Sequence, residues 1–235
     1  MNKIVTPGNI WHSPVNVFWH IQKTASTVDQ RVFELASKYQ PHREAKIGAI
    51  ISLCMFGRLH KPTYLQLFRP DPPDVILMQQ TESKPGDRDL TLLEITSYLG
   101  SPKESLLSQL IRSGKTPKGW HKYSEYYILV VSVGVGLTVD YVELRDYLNK
   151  NETTFPIWTV QDVTDGGPDT LARIVIANPE IYEMTINIGQ AVYEFDALKL
   201  PGVIRSKRAG SMKSVRAMEG SPDRRAPWET IGLLE

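Results

Sequence analysis

The sequence predicts an α/β fold, a mixed central sheet flanked by helices, and three observations carry that prediction. Apolar residues recur at helical spacing in segments opened by capping residues or proline. Short runs rich in Val, Ile, Leu and Thr, bounded by Pro, Gly and Asp, read as strands. The two kinds of segment follow one another as helix, three strands, helix, strand, and the last strand is apolar almost throughout, as suits a strand covered on both faces.

Residues 1–25 read as an extended arm that docks Trp11, Phe18 and Trp19 on the core between Pro7, Gly8 and Pro14. Ser26 and Thr27 with Asp29 and Gln30 form a helix N-cap signal, and Val28, Val32, Leu35, Ala36 and Tyr39 then share one helical face. Pro41 separates this helix from a second, 42–56, which is apolar over most of its circumference from Ile47 onward and is therefore buried on more than one side. Gly57 ends it. Strands follow at 63–68, 75–78 and 90–96. The loop before the last holds the turn signal Pro85-Gly86-Asp87, which makes the second and third strands neighbours. Ser101-Pro102 opens a third helix whose core face is Leu106, Leu107, Leu110 and Ile111. A basic loop with aromatics, 112–123, leads to the strand 126–134. A helix over 140–148 has Tyr141, Leu144 and Leu148 on one face, and strands at 155–160 and 171–177 flank a Gly166-Gly167-Pro168 turn. That turn is no phosphate loop, since no Lys-Ser/Thr or helix follows it. Residues 182–195 add strand. These segments group as an N-terminal arm (1–25), a core (26–150), a β-rich extension (151–203) and a basic tail (204–235) containing Arg205, Lys207, Arg208, Lys213, Arg216, Arg224 and Arg225.

Composition bounds the function. With 235 residues, 41% hydrophobic and 23% charged, the chain has ordinary globular composition. A net charge of +1 argues against a generally basic nucleic-acid binder and leaves room for local basic patches. One cysteine, Cys54, lies in an apolar helix, so it forms no internal disulfide and reads as a small buried side chain. No apolar run approaches the length of a membrane span, and the N-terminus lacks a secretory pattern, so the expected location is intracellular with no membrane partner. A homo-oligomer stays open.

Two of the apolar runs carry a carboxylate where an apolar residue is the easier choice. Asp74 opens Val75-Ile76-Leu77-Met78, and Glu94 lies inside Leu90-Thr91-Leu92-Leu93-Glu94-Ile95-Thr96. Neighbouring strands would hold the two acids close together, where they repel, and a divalent cation is the usual remedy. Asp71 competes with Asp74, and Asp87 and Asp89 with Glu94, from loop or edge positions.

Pro73-Asp74 on one strand and Glu94-Ile95-Thr96 on the next resemble the motif of the PD-(D/E)xK nucleases, the restriction-endonuclease-like superfamily, over roughly residues 40–135. The resemblance implies an αβββαβ core in which Asp74, Glu94 and the Ile95 carbonyl hold Mg²⁺ or Mn²⁺. Thr96 stands where the family has its lysine, a departure that removes a charge. On the same resemblance Glu44 is a candidate metal-linked acid on the preceding helix, and Gln109 matches the Gln-Leu found in exonuclease-like members. His42 and Lys103 match positions used by viral cap-snatching endonucleases; a lysine from 115–122 is the other candidate for the missing charge. Each has a plainer reading: Glu44 as an acid favouring the helix dipole, Lys103 as a solvated side chain. Arg112, Lys115, Lys118, Trp120 and Lys122 form a candidate nucleic-acid contact, with cations for phosphates and a ring for bases, or else a solvated loop. The expected function is metal-dependent hydrolysis of phosphodiester bonds in DNA or RNA. The alternative is a catalytically inactive nuclease-fold protein that binds nucleic acid or serves in assembly.

Overall fold

The structure is a computed structural model that describes residues 10–68, 73–80, 88–100, 104–116, 127–151, 156–162, 170–178, 180–206 and 215–217. The fold is α/β, as the order of helical and extended segments predicts. The described residues divide into two compact units, one built from Ile10 to Leu92 with those from Gln190 onward, the other from Leu93 to Gly189.

In the first unit the strands β1 (Ile10–His12), β2 (Thr63–Leu67), β3 (Val75–Gln80), β9 (Val203–Ser206) and β10 (Val215–Ala217) lie in the order β10-β9-β1-β2-β3. The pairs β9/β10, β1/β9, β1/β2 and β2/β3 are all antiparallel. Helices α1 (Pro14–Ala25) and α3 (Gln40–Leu59) pack on each other and on β2, and α3 also packs on β3. α3 begins at a Pro in its first turn and ends at His60, which adopts the left-handed conformation. It buries Ala45, Ile47, Ala49, Ile50, Ile51, Leu53 and Phe56, the broad apolar girth its sequence shows. Gly48 sits where α3 crosses β3: a Cβ there would stand 2.9 Å from Val75 Cγ1, so the absence of a side chain sets how near the helix comes to the strand. Trp11, Tyr64, Ile76, Met78 and Ile204 form a buried cluster, against which Phe68, Leu90 and Leu92 pack.

In the second unit β5 (Tyr127–Val133), β6 (Ile157–Asp162), β7 (Leu171–Asn178) and β8 (Glu180–Asn187) lie in that order. β5/β6 is parallel and the other two pairs are antiparallel, which makes this sheet mixed. The parallel pair is joined through α5 (Tyr141–Lys150), the crossover that parallel neighbours require. Asp140 caps α5 by accepting from Glu143 N, and α5 buries Leu144 and Leu148. β4 (Arg88–Tyr98) belongs to both units, residues 88–92 to the first and 93–98 to the second; α4 (Leu106–Arg112) follows it.

Five expectations change. Residues 10–25 are no extended arm. Ser13 caps α1 by accepting from Asn16 N, Pro14 takes the first helical position, and Trp11, Val17 and Ile21 are buried, while Trp19 is exposed. The helix expected from Ser26 onward shrinks to α2 (Gln30–Leu35), capped by Asp29; Ala36 is extended, a 3-10 turn (Ser37–Tyr39) follows, and Val32 and Leu35 face solvent. Ser105, not Ser101, caps α4, and Ile111 is half exposed while Leu106, Leu107 and Leu110 are buried. The extended run from Tyr182 stops at Asn187, and α6 (Ile188–Asp196) takes over, because Ile188, Ala191 and Phe195 repeat at helical spacing and are buried. Val203–Ser206 is strand rather than the start of a tail: Val203 and Ile204 are buried, and β9 pairs with β1. No helix among the described residues is long and apolar enough to cross a membrane.

The buried N-terminal strand carries a testable consequence. Trp11→Ala empties the centre of the first unit's cluster and should cost about 3–5 kcal/mol in urea unfolding, whereas Trp19→Ala, at an exposed site, should change it by less than about 0.5 kcal/mol.

Candidate functional site

Glu94 is the buried charge around which a site can be built. It lies mid-strand in β4 and is 1% exposed. The Lys115 ammonium donates to its Oε1. Glu94 Oε2 is buried and has no hydrogen-bond partner among the described residues. A carboxylate removed from water without a cation beside it costs several kcal/mol, so Lys115 is what permits Glu94 to sit in this strand.

The chain delivers Lys115 by a helix-ending motif. Leu110, Ile111, Arg112 and Ser113 form the last turn of α4, and Gly114 takes the left-handed conformation at φ 68. Lys115 N donates to Leu110 O at 2.9 Å and Gly114 N donates to Ile111 O at 3.1 Å, the double bond of a Schellman cap. At the other end, Tyr98 Oη donates to Glu104 O at 3.1 Å. α4 therefore runs back along β4, with Tyr98 near its start and Glu94 near its end. Gln109 Nε2 donates to Ser97 O at 2.8 Å and ties the middle of the helix to the strand. Thr96 is half-buried between Glu94 and Tyr98 on the strand, and Thr116, next to Lys115, is buried. Arg112 turns to Glu104, to which its Nε and Nη2 donate at 2.8 and 2.9 Å; this pairing holds the Glu104 carboxyl below the usual range.

Asp74, Glu44 and His42 belong to the first unit. Asp74 O accepts from Phe68 N at 2.9 Å and closes the β2–β3 hairpin, with the side chain half-buried. Glu44 accepts from Gln40 Nε2 at 2.7 Å, one turn earlier on α3. His42 is buried edge-on against Phe33 and Tyr39, at 5.9 and 5.3 Å between ring centroids. Burial, helped by the Arg43 charge, pushes its pKa down to about 4. Arg43 itself donates to Phe33 O and Ala36 O, which fastens α2 and the following turn to α3. The Cys54 thiol is pushed up to about 11 by burial, which removes it as a nucleophile. Lys103, Lys118, Trp120 and Lys122 lie outside the described residues, so the aromatic half of the expected nucleic-acid contact does too.

The structure thus brings together two of the residues singled out in the sequence, Glu94 and Lys115, in a role the sequence assigned less directly. Lys115 counted there chiefly as a phosphate contact. The signal that could have placed it on Glu94 was Gly114, the residue that ends a helix and turns the next side chain back over it. Among the described residues no group of three or more His, Cys, Asp or Glu side chains could hold a metal ion. Within the second unit Glu94 Oε2 is a hard oxygen of the kind that Mg²⁺ or Mn²⁺ takes, while Ile95, next on the strand, has an interaction of its own. No protein-family model, no curated protein and no solved structure matches the chain.

Three outcomes follow from this geometry. Lys115→Met leaves a buried carboxylate without its cation and should destabilise by about 3–5 kcal/mol, while the double variant Glu94→Gln/Lys115→Met recovers much of that loss in denaturant titration. Gly114→Ala, which must hold a Cβ in the left-handed region, should cost about 1 kcal/mol and loosen Lys115. The third concerns pH. His42 is depressed from 6.5 to about 4 when folded, so below 6.5 the unfolded chain binds the proton first. Stability is full above 6.5 and falls as pH drops towards 4, by on the order of 2–3 kcal/mol, and His42→Gln should flatten that window.

Proposed function

We propose that the chain is a metal-dependent nuclease of the PD-(D/E)xK type, hydrolysing phosphodiester bonds of DNA or RNA inside a cell. The observation that carries this reading is Glu94: a carboxylate buried mid-strand, one oxygen on a lysine, the other without a hydrogen-bond partner among the described residues. A charge kept in that position at the expense of stability points to chemistry rather than to packing. The order of elements, α3, β2, β3, β4, α4, β5, supports it, since it is the order of the nuclease core. On the resemblance, Glu94 is the residue proposed to hold the cation, the Ile95 carbonyl is the motif's backbone ligand, and Asp74 is the motif's other acid. Such a cation supplies a Lewis acid that polarises the phosphoryl group and lowers the pKa of a water. Lys115 supplies the positive charge that Thr96 does not, and Thr96 offers a hydroxyl that can orient a water. In the reaction a water oxygen attacks phosphorus, the ester P–O bond breaks, and the leaving oxygen takes up a proton.

A second reading has its own observation. Lys115 already neutralises Glu94, and Thr96 is uncharged, an arrangement that equally suits a nuclease fold that has lost catalysis and only binds nucleic acid.

Labelled single- and double-stranded DNA and RNA incubated with Mn²⁺ separate the two. Cleavage by the wild-type protein that is lost in Glu94→Gln and Asp74→Ala supports the nuclease. Retention of the strands in a gel without cleavage supports the binding module, and neither overturns both.

A further inference from the structure

Resting on the reading of the chain as a protein that acts on nucleic acid, we infer that α1 carries a platform for unpaired strands, with Trp19 stacking on a base and Lys23 and Lys199 meeting the phosphates beside it. The platform lies wholly in the first unit. Of the tryptophans among the described residues, Trp11 is 1% exposed and Trp158 is half-buried, whereas Trp19 is 54% exposed. Leaving so large a ring in water forgoes the gain of burying it. The ring is braced on one side by the buried His20, which meets it at 83° with 4.7 Å between centroids. Lys23, one turn further along α1, holds its ammonium 5.3 Å from the indole centroid.

Charge decides what such a ring can receive. No Asp or Glu occurs in α1, so the helix offers an anion attraction without repulsion of its own. A second cation arrives from the end of α6. Gly202 packs on α1, where a Cβ would stand 3.6 Å from Asn16 Cβ. Asn16, Trp19 and Lys23 follow one another at helical spacing and share a face. The turn after α6 therefore meets α1 beside that face, and it carries Lys199, exposed and left-handed at φ 52, three residues before Gly202. A single strand presents bases with open faces and phosphates alongside, which a ring between cations fits whatever the sequence, in DNA and RNA alike. In a duplex the bases stack on one another, and only the cations find partners. The exposed neighbours of the ring on α1, Gln22 and Lys23, are polar, which suits a nucleotide better than an apolar protein patch.

The test is fluorescence anisotropy of labelled oligothymidylate, oligouridylate and a blunt DNA duplex with the full chain, in EDTA so that no strand is cut. Trp19→Ala should bind both single strands about tenfold more weakly than wild type and the duplex within about twofold of it, and Trp19→Phe should recover much of the loss. Lys23→Gln and Lys199→Gln should each lower the slope of log affinity against log salt on the single strands by about 0.7, the loss of one phosphate contact. Single-strand binding by Trp19→Ala equal to wild type, an equal loss on the duplex, or wild-type binding of the duplex alone overturns the proposal. So does light scattering that shows a wild-type dimer and a Trp19→Ala monomer, since the ring is then covered by a second copy. Strands bound, or cut with Mn²⁺, equally by wild type and Trp19→Ala leave the nucleic-acid reading standing without the platform. A wild-type protein that neither binds nor cuts any strand overturns both.

Discussion

A carboxylate in the interior of a strand has to be answered by positive charge, and the second unit is arranged to answer it. Glu94 dictates that a cation arrive from α4, and α4 can deliver one because Gly114 ends the helix in the left-handed conformation and turns Lys115 back along β4. The bonds from Gln109 to Ser97 and from Tyr98 to Glu104 keep helix and strand in the antiparallel alignment that this reach requires. Buried ion pairs seldom stabilise more than apolar residues of the same volume would. Their presence calls for an explanation other than stability, and that is the ground on which a functional role is proposed for Glu94.

The first unit is governed by close packing instead. Gly48 lets α3 approach β3 within reach of Val75, and the buried ring of Trp11 reaches the same core as Ile76 and Met78. Residues around Ser13 and around Gly202 meet in this unit: Ser13 N donates to Gly202 O at 2.7 Å, Tyr64 Oη donates to Pro201 O at 3.2 Å, and β1 pairs with β9. Segments far apart in the chain thus complete one core. The buried imidazole of His42, edge-on to two aromatic rings, belongs to this packing, and its depressed pKa is a consequence of burial.

Much of the architecture was legible from local pattern. The strands at 63–67, 75–80 and 88–98 and the long helix over 40–59 follow from β-branched runs, apolar girth and Pro or Gly boundaries, signals that act over a few residues. The misjudged segments are those where local signals compete. Ser13-Pro14 is a helix start that the aromatics and prolines around it disguised as an arm. Val32 and Leu35 keep helical spacing but face solvent, since periodicity shows which residues share a side and not whether anything covers it. The change from strand to helix at Ile188 lies inside one continuous apolar pattern, where a period of two gives way to one of 3.6.

For the candidate site the division is sharper. The sequence by itself determined that Glu94 is a charge set in an apolar strand, that Thr96 beside it is uncharged, and that a glycine stands just before Lys115. Only the tertiary structure decided which lysine answers Glu94, that one carboxylate oxygen is paired and the other buried without a hydrogen-bond partner among the described residues, and that Arg112 turns away to Glu104. The physical reason is range. Helix and strand propensity act between residues a few positions apart, whereas the neutralisation of a buried charge is settled by whichever cation the folded backbone carries to it, here from 21 residues along the chain.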